Sequence, residues 1–195
     1  MKFGTMKMKV TFIIIFILSG LTVNGQVEKE LNKKGFVFGV SSGVSHTLIN
    51  FPTEELSIAG IGINWKVGYM LNTNLAVLLN GAISIYEYDL TDRPRKRDFG
   101  GIFPSAQYWI SDRFWILGGV GLATDAPVFF DLKPENPDEL KYYTGVGVIS
   151  SVGFEFYRTS KLMFDIQARV IYDSIHFPEA RVNGLSSSLL LGINF

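Results

Sequence analysis

The sequence contains no cysteine. That excludes a disulfide framework, thiolate catalysis and thiolate metal sites. It also excludes a lipid-anchored lipoprotein, which needs a cysteine after its export signal. Charge is scarce, at 18% of residues, with 18 cations against 18 acids. Nothing in that balance implies a nucleic-acid partner or a strong steering field. Past the N-terminus no apolar run approaches the roughly 20 residues of a membrane helix. No GxxxxGK[ST], HExxH or GxSxG pattern occurs, and Gly145-Val146-Gly147 reads as strand alternation rather than a phosphate loop. No cofactor and no metal site is expected.

What is present is apolar and aromatic: 47% hydrophobic residues, 16 phenylalanines and 20 glycines. The first 25 residues read as a secretory signal peptide. Lys2, Lys7 and Lys9 open it, Val10 to Leu18 form its apolar core, and Val23 and Gly25 stand at −3 and −1 of a cut before Gln26. Its removal takes away three lysines and no acid, leaving a net charge of −3. Residues 26–34 form a short polar leader.

From Gly35 to Phe195 the apolar period is two, the strand signal. Between Leu162 and Asp173 the even positions are Leu162, Phe164, Ile166, Ala168, Val170 and Tyr172, while the odd ones include Asp165, Gln167, Arg169 and Asp173. Seven further segments alternate in the same way, which predicts eight strands. Each is about 10–14 residues, long enough to cross a bilayer at a tilt. Short turns fall at 71–74, 111–113 and 158–160; longer polar loops fall at 46–56, 89–98, 124–141 and 174–183. Pro104 lies inside a strand, where it cannot donate to the ladder, and predicts a local defect or bulge.

The faces decide between a soluble and a membrane barrel. One face is bulky and apolar, suited to lipid. The other is rich in Gly, Ser, Ala and Asn, which fit a narrow eight-stranded interior. The charges on that face, Lys66, Glu155, Asp165, Arg169 and Asp173, are of mixed sign and are expected to pair inside. A one-residue slip would send Arg169 into lipid, at about 2–4 kcal/mol near the midplane, which fixes the register. Met163, Leu78, Tyr86 and Trp115 are expected to plug the lumen. Aromatic residues near the strand ends, such as Tyr69, Trp109, Phe114 and Tyr157, fit two interfacial girdles.

The final strand ends Leu189-Leu190-Leu191-Gly192-Ile193-Asn194-Phe195. It resembles the C-terminal insertion signal of outer-membrane barrels, with Leu189, Leu191 and Ile193 on one face before the terminal Phe195. That resemblance implies recognition by the barrel-assembly machinery. As a pattern, the stretch from Gly35 to Phe195 resembles the small OmpA/OmpX-type proteins. It implies an all-β, eight-stranded, antiparallel up-and-down transmembrane barrel in the outer membrane, monomeric, with both termini on the periplasmic side. No peptidoglycan-binding domain follows, so no cell-wall tether is expected.

Candidate chemistry is sparse. The histidines are His46 and His176. The His-x-Ser pattern of eight-stranded lipid A deacylases is absent after both, so no enzyme is expected. His46 with Glu54 is the residual catalytic pairing to consider. Arg93, Arg95, Lys96 and Arg97 form a basic cluster able to contact lipopolysaccharide phosphates. Asp125, Asp131, Glu135, Asp138 and Glu139 lack calcium-loop spacing. The expected role is structural or interactive, through extracellular loops, with outer-membrane lipid as the surrounding partner. The alternatives are a small-solute porin-like channel, then a lipid-modifying enzyme, then a soluble ligand-binding barrel.

Overall fold

The computed structural model describes residues 35–52, 55–88, 95–128, 141–159, 161–177 and 180–195. The signal peptide and leader, Glu54, Arg93, Asp131, Glu135, Asp138 and Glu139 lie outside the described residues. Eight strands follow in chain order: β1 (Gly35–Asn50), β2 (Glu55–Met70), β3 (Leu75–Tyr88), β4 (Arg95–Trp109), β5 (Phe114–Pro127), β6 (Tyr143–Arg158), β7 (Met163–His176) and β8 (Arg181–Asn194). Each pairs antiparallel with its neighbours, and β1 pairs with β8 to close the barrel. Closure removes the sheet edges over the shared length of the strands; the first residues of β2 pair with β1 and rise past the β3 ladder, which begins at Ile61↔Ile85. At the seam Phe195 N donates to Phe38 O at 2.8 Å, and the two rings stand 5.8 Å apart.

The strands run further than alternation alone suggested. The loops expected at 46–56, 89–98 and 174–183 shrink, because β1 and β2 extend to Asn50 and Glu55, β3 and β4 to Tyr88 and Arg95, and β7 and β8 to His176 and Arg181. Polar residues at these ends look like loop by composition, yet they keep pairing, as in Asn50↔Glu55 and His176↔Arg181. A strand of 14–16 residues, at about 3.3 Å per residue and a tilt of about 40°, stands about 35–40 Å high. The apolar band of such barrels is about 25 Å tall. The excess projects beyond the lipid at the long-loop end.

The outward residues mark where. From the short-turn end up to Val44, Ile61, Ile102, Leu122, Val146, Tyr172 and Leu185 the outer surface is exposed and mainly apolar, interrupted by Ser42, Ser150 and Ser187. Beyond that line it turns polar: His46, Asn50, Glu55, Ser57, Glu87, Lys96, Thr144, Asn183 and Arg181. Leu189, Leu191 and Phe195 of the expected assembly signal all face outward.

Pro104 causes no register shift. The β4–β5 ladder skips Phe103 and Pro104, then resumes at Ser105↔Gly119 in the same register as Ile102↔Leu122. The ring points outward, and only the missing N–H is felt. A bulge lies elsewhere, between Glu155 and Tyr157 on β6. It turns Phe156 and Tyr157 both to the outside and brings Arg158 inward.

Candidate functional site

The lumen is the part of the molecule where charge is gathered. Lys66, Glu155, Asp165, Arg169 and Asp173 all point into it and are buried to 3% exposure or less. They are satisfied more by neutral groups than by one another. Lys66 Nζ donates to Gln107 Oε1 at 3.0 Å and sits 4.6 Å from the centre of the Trp115 ring. Asp165 accepts from Gln167 Nε2 and Asn194 Nδ2, each at 2.9 Å. Arg169 reaches from β7 across to β2 and β3, donating to Ile63 O and Ile83 O at 2.9 Å and to Ser84 and Ser188 hydroxyls. Asp173 is fully buried, and neither carboxylate oxygen has a protein hydrogen bond.

Two direct ion pairs inside use cations that composition had assigned to a turn or a loop. Arg158, drawn in by the bulge, pairs with Glu155, which also accepts from Trp109 Nε1 at 2.5 Å. Arg97 pairs with Asp125 at the outer end. Direct pairing matters there because an isolated buried charge is costly.

The interior is less uniformly small and polar than expected. Trp115, Phe99, Phe103, Ile149, Ile171 and Leu190 are all fully buried within it. Glycines make room for them. A Cβ on Gly153 would fall in the Trp115 ring, one on Gly184 in the Phe99 ring, and one on Gly62 against Leu190 and Arg169. Large side chains therefore lie against glycines, on the adjoining strand for Trp115 and on non-adjacent strands for Phe99 and Leu190, and fill the bore. Leu78, Tyr86 and Trp115 are buried inside as expected, while Met163 at the lower rim is half-buried.

The basic cluster does not form one surface. Arg95 and Arg97 are inward and buried, Lys96 alone of the described three faces out, 4.0 Å from Glu87, and Arg93 is outside the described residues. The signal for this was available. Ser105 and Gln107 are recognisably inward, and continuing their odd-numbered alternation backwards along β4 turns Arg97 and Arg95 inward as well. The same extension along β5 finds Asp125. Arg158 had no such signal, because the bulge reverses its parity.

His46 is exposed on the outer wall, and its Nε2 lies 3.1 Å from Ser57 Oγ on the next strand. Among the described residues no carboxylate hydrogen-bonds this imidazole. His176 is exposed at the tip of β7. Among the described residues, no group of three or more His, Asp or Glu has metal-site geometry.

No protein-family model and no curated protein sequence matches the chain. Solved structures do. Ail, the attachment invasion locus protein of Yersinia pestis, solved in complex with the heparin analogue sucrose octasulfate, superposes with a TM-score of 0.52 at 13% identity, over 83% of this chain and 99% of Ail. Neisserial surface protein A superposes with a TM-score of 0.56 at 17% identity, over 80% of this chain and 95% of that one. At such identities the likeness is one of fold. The chain has the fold of the small eight-stranded outer-membrane β-barrels, and its own surface, apolar outside and charged within, is that of a barrel built to span a membrane.

Proposed function

We propose that this outer-membrane barrel does not conduct solutes, and acts through the polar rim that its strands raise above the lipid. The filled lumen carries this reading. Eight strands leave an interior just wide enough for side chains, and here Trp115, Phe99, Phe103 and Arg169 occupy it across glycine-lined walls. What remains for contact is the rim, where Lys96, Lys141, Arg181 and His176 are exposed beside Glu55, Glu87 and Asn183.

Lipopolysaccharide phosphate is the partner class that these outward cations suit. They replace the contiguous cluster, half of which turns inward. A barrel of the same fold, Ail, has been solved with a sulfated sugar analogue, which lends support to an anionic-sugar partner at the rim. Planar-bilayer recording of the purified protein tests the closed lumen: a silent bilayer is expected, and steady openings would favour a small-solute channel instead. Lipopolysaccharide binding by a Lys96→Gln, Lys141→Gln, Arg181→Gln variant tests the rim. Weakened binding is expected, and unchanged binding would remove the partner.

A further inference from the structure

At the outer mouth a single run of contacts crosses from one side of the barrel to the other. Tyr86 on β3 donates its hydroxyl to Asp125 Oδ2 on β5 at 2.7 Å. Arg97 on β4 pairs with the same carboxylate through Nε. Its Nη2 donates to Asp125 O at 2.9 Å and to Lys141 O at 3.0 Å, so it ties the end of β5 to the residues leading into β6. The Arg97 guanidinium carbon stands 5.4 Å from the centre of the Tyr143 ring. Tyr143 lies 4.1 Å from Phe177, beyond the end of β7, and Phe177 meets Phe51, beyond the end of β1, edge-on at 5.7 Å. Beneath this roof lie Ile49, Ile175, Val182 and Phe99, all buried.

We infer that Arg97 is a latch that holds the outer mouth shut. Its planar fork can bond a carboxylate and two carbonyls at once while its face meets an aromatic ring, a combination that a lysine could not supply. The aromatic roof rests on it at the Tyr143 side. Remove the guanidinium and Asp125 loses its ion pair, the Lys141 carbonyl loses its donor, and the roof loses its fixed end. The outer end then opens by local unfolding while the lipid-embedded part of the barrel stays paired. The inference rests on the lumen being sealed in the unaltered protein, and the test below separates the two.

The absence of cysteine provides a clean reporter. Ser186 is fully buried on β8, below the roof, and hydrogen-bonded to the hydroxyls of Thr47 and Ser84, so Ser186→Cys is a mild change. In folded protein in lipid vesicles, a membrane-impermeant thiol reagent should leave this cysteine unlabelled. Adding Arg97→Gln should raise the labelling rate by about tenfold or more, since losing a buried charged partner shifts a local opening equilibrium by at least that factor. Arg97→Lys should fall between. Phe177→Ala, which leaves the ion pair intact and removes the roof ring, should also raise the rate, and it serves if Arg97→Gln does not fold. Rapid labelling of Ser186→Cys alone would overturn the sealed lumen. Slow labelling in that background and equally slow labelling in the folded Arg97→Gln and Phe177→Ala proteins would overturn the latch while leaving the sealed lumen standing.

Discussion

The two ends of the lumen are closed by different means. At the short-turn end Glu155, Arg158 and Trp109 close the bore together with Val37 and Met70. The ion pair there joins residues three apart on one strand, and a bulge of one residue creates it. At the outer mouth the closing contacts join β3, β4, β5 and the tips of three hairpins, and most of the partners are more than 25 residues apart in sequence. The ion pair of the lower closure is local and forms with its hairpin, while the bond from Trp109, 46 residues away, anchors it to β4. The upper one requires the whole barrel to be assembled. The lower end should therefore behave as part of the rigid scaffold, and the upper as the part able to open on its own.

Substitutions at the two ends can break this contrast. Gly153→Val would expel the Trp115 indole from the lower lumen. The lost ring costs about 3–5 kcal/mol and the overpacking about 1–3 kcal/mol more, so the protein should fail to show heat-modifiable migration on gels. Glu155→Ala leaves Arg158 and the Trp109 N–H without their acceptor, at about 3–5 kcal/mol. It should lower the urea midpoint of unfolding in bilayers for the whole barrel at once. Arg97→Gln should cost less in that assay, about 2 kcal/mol, because Tyr86 still donates to Asp125. Its damage should be confined to the outer end, seen as loss of amide-exchange protection in residues 123–128 and 141–145 alone. Lys96→Ala at the rim, where the pair with Glu87 is half exposed, should change the unfolding free energy by no more than about 0.5 kcal/mol. If Arg97→Gln destabilised the barrel as globally as Glu155→Ala, the two ends would be equivalent and the contrast would fail.

Much of this architecture was legible in the residues, and the exceptions have physical causes. Alternation placed Lys66, Glu155, Asp165, Arg169 and Asp173 in the lumen and Leu189, Leu191 and Phe195 outside, because a period of two is a direct readout of which face a side chain takes. It misjudged strand length where composition changes. Above the lipid both faces of a strand become polar, so Asn50, Glu55, Arg95 and Asp125 resemble loop although the ladder continues through them. It could not find Arg158, whose orientation depends on a bulge that no local residue announces. Nor could it foresee that Lys66 would be held by Gln107 and Arg169 by Ser84, since those contacts cross the bore between strands remote in sequence; Gln167 and Asn194 meet Asp165 from its own strand and the adjoining one. The pairing of Trp115 with Gly153 and Phe99 with Gly184 is likewise invisible in one dimension, although the supply of small inward residues hinted that something large must face them.

One face of each strand meets lipid while the other is packed against a filled interior. Spin labels introduced one at a time at Asp165 through Asp173 of β7 test it most directly, by comparing accessibility to oxygen, which partitions into lipid, and to a polar nickel chelate. Labels at the even positions 166, 168, 170 and 172 should be reached by oxygen and not by the chelate, and labels at the odd positions should be reached by neither. Chelate access at the odd positions would reveal a water-filled pore, and chelate access at the even ones a barrel outside the membrane; either result would contradict the account.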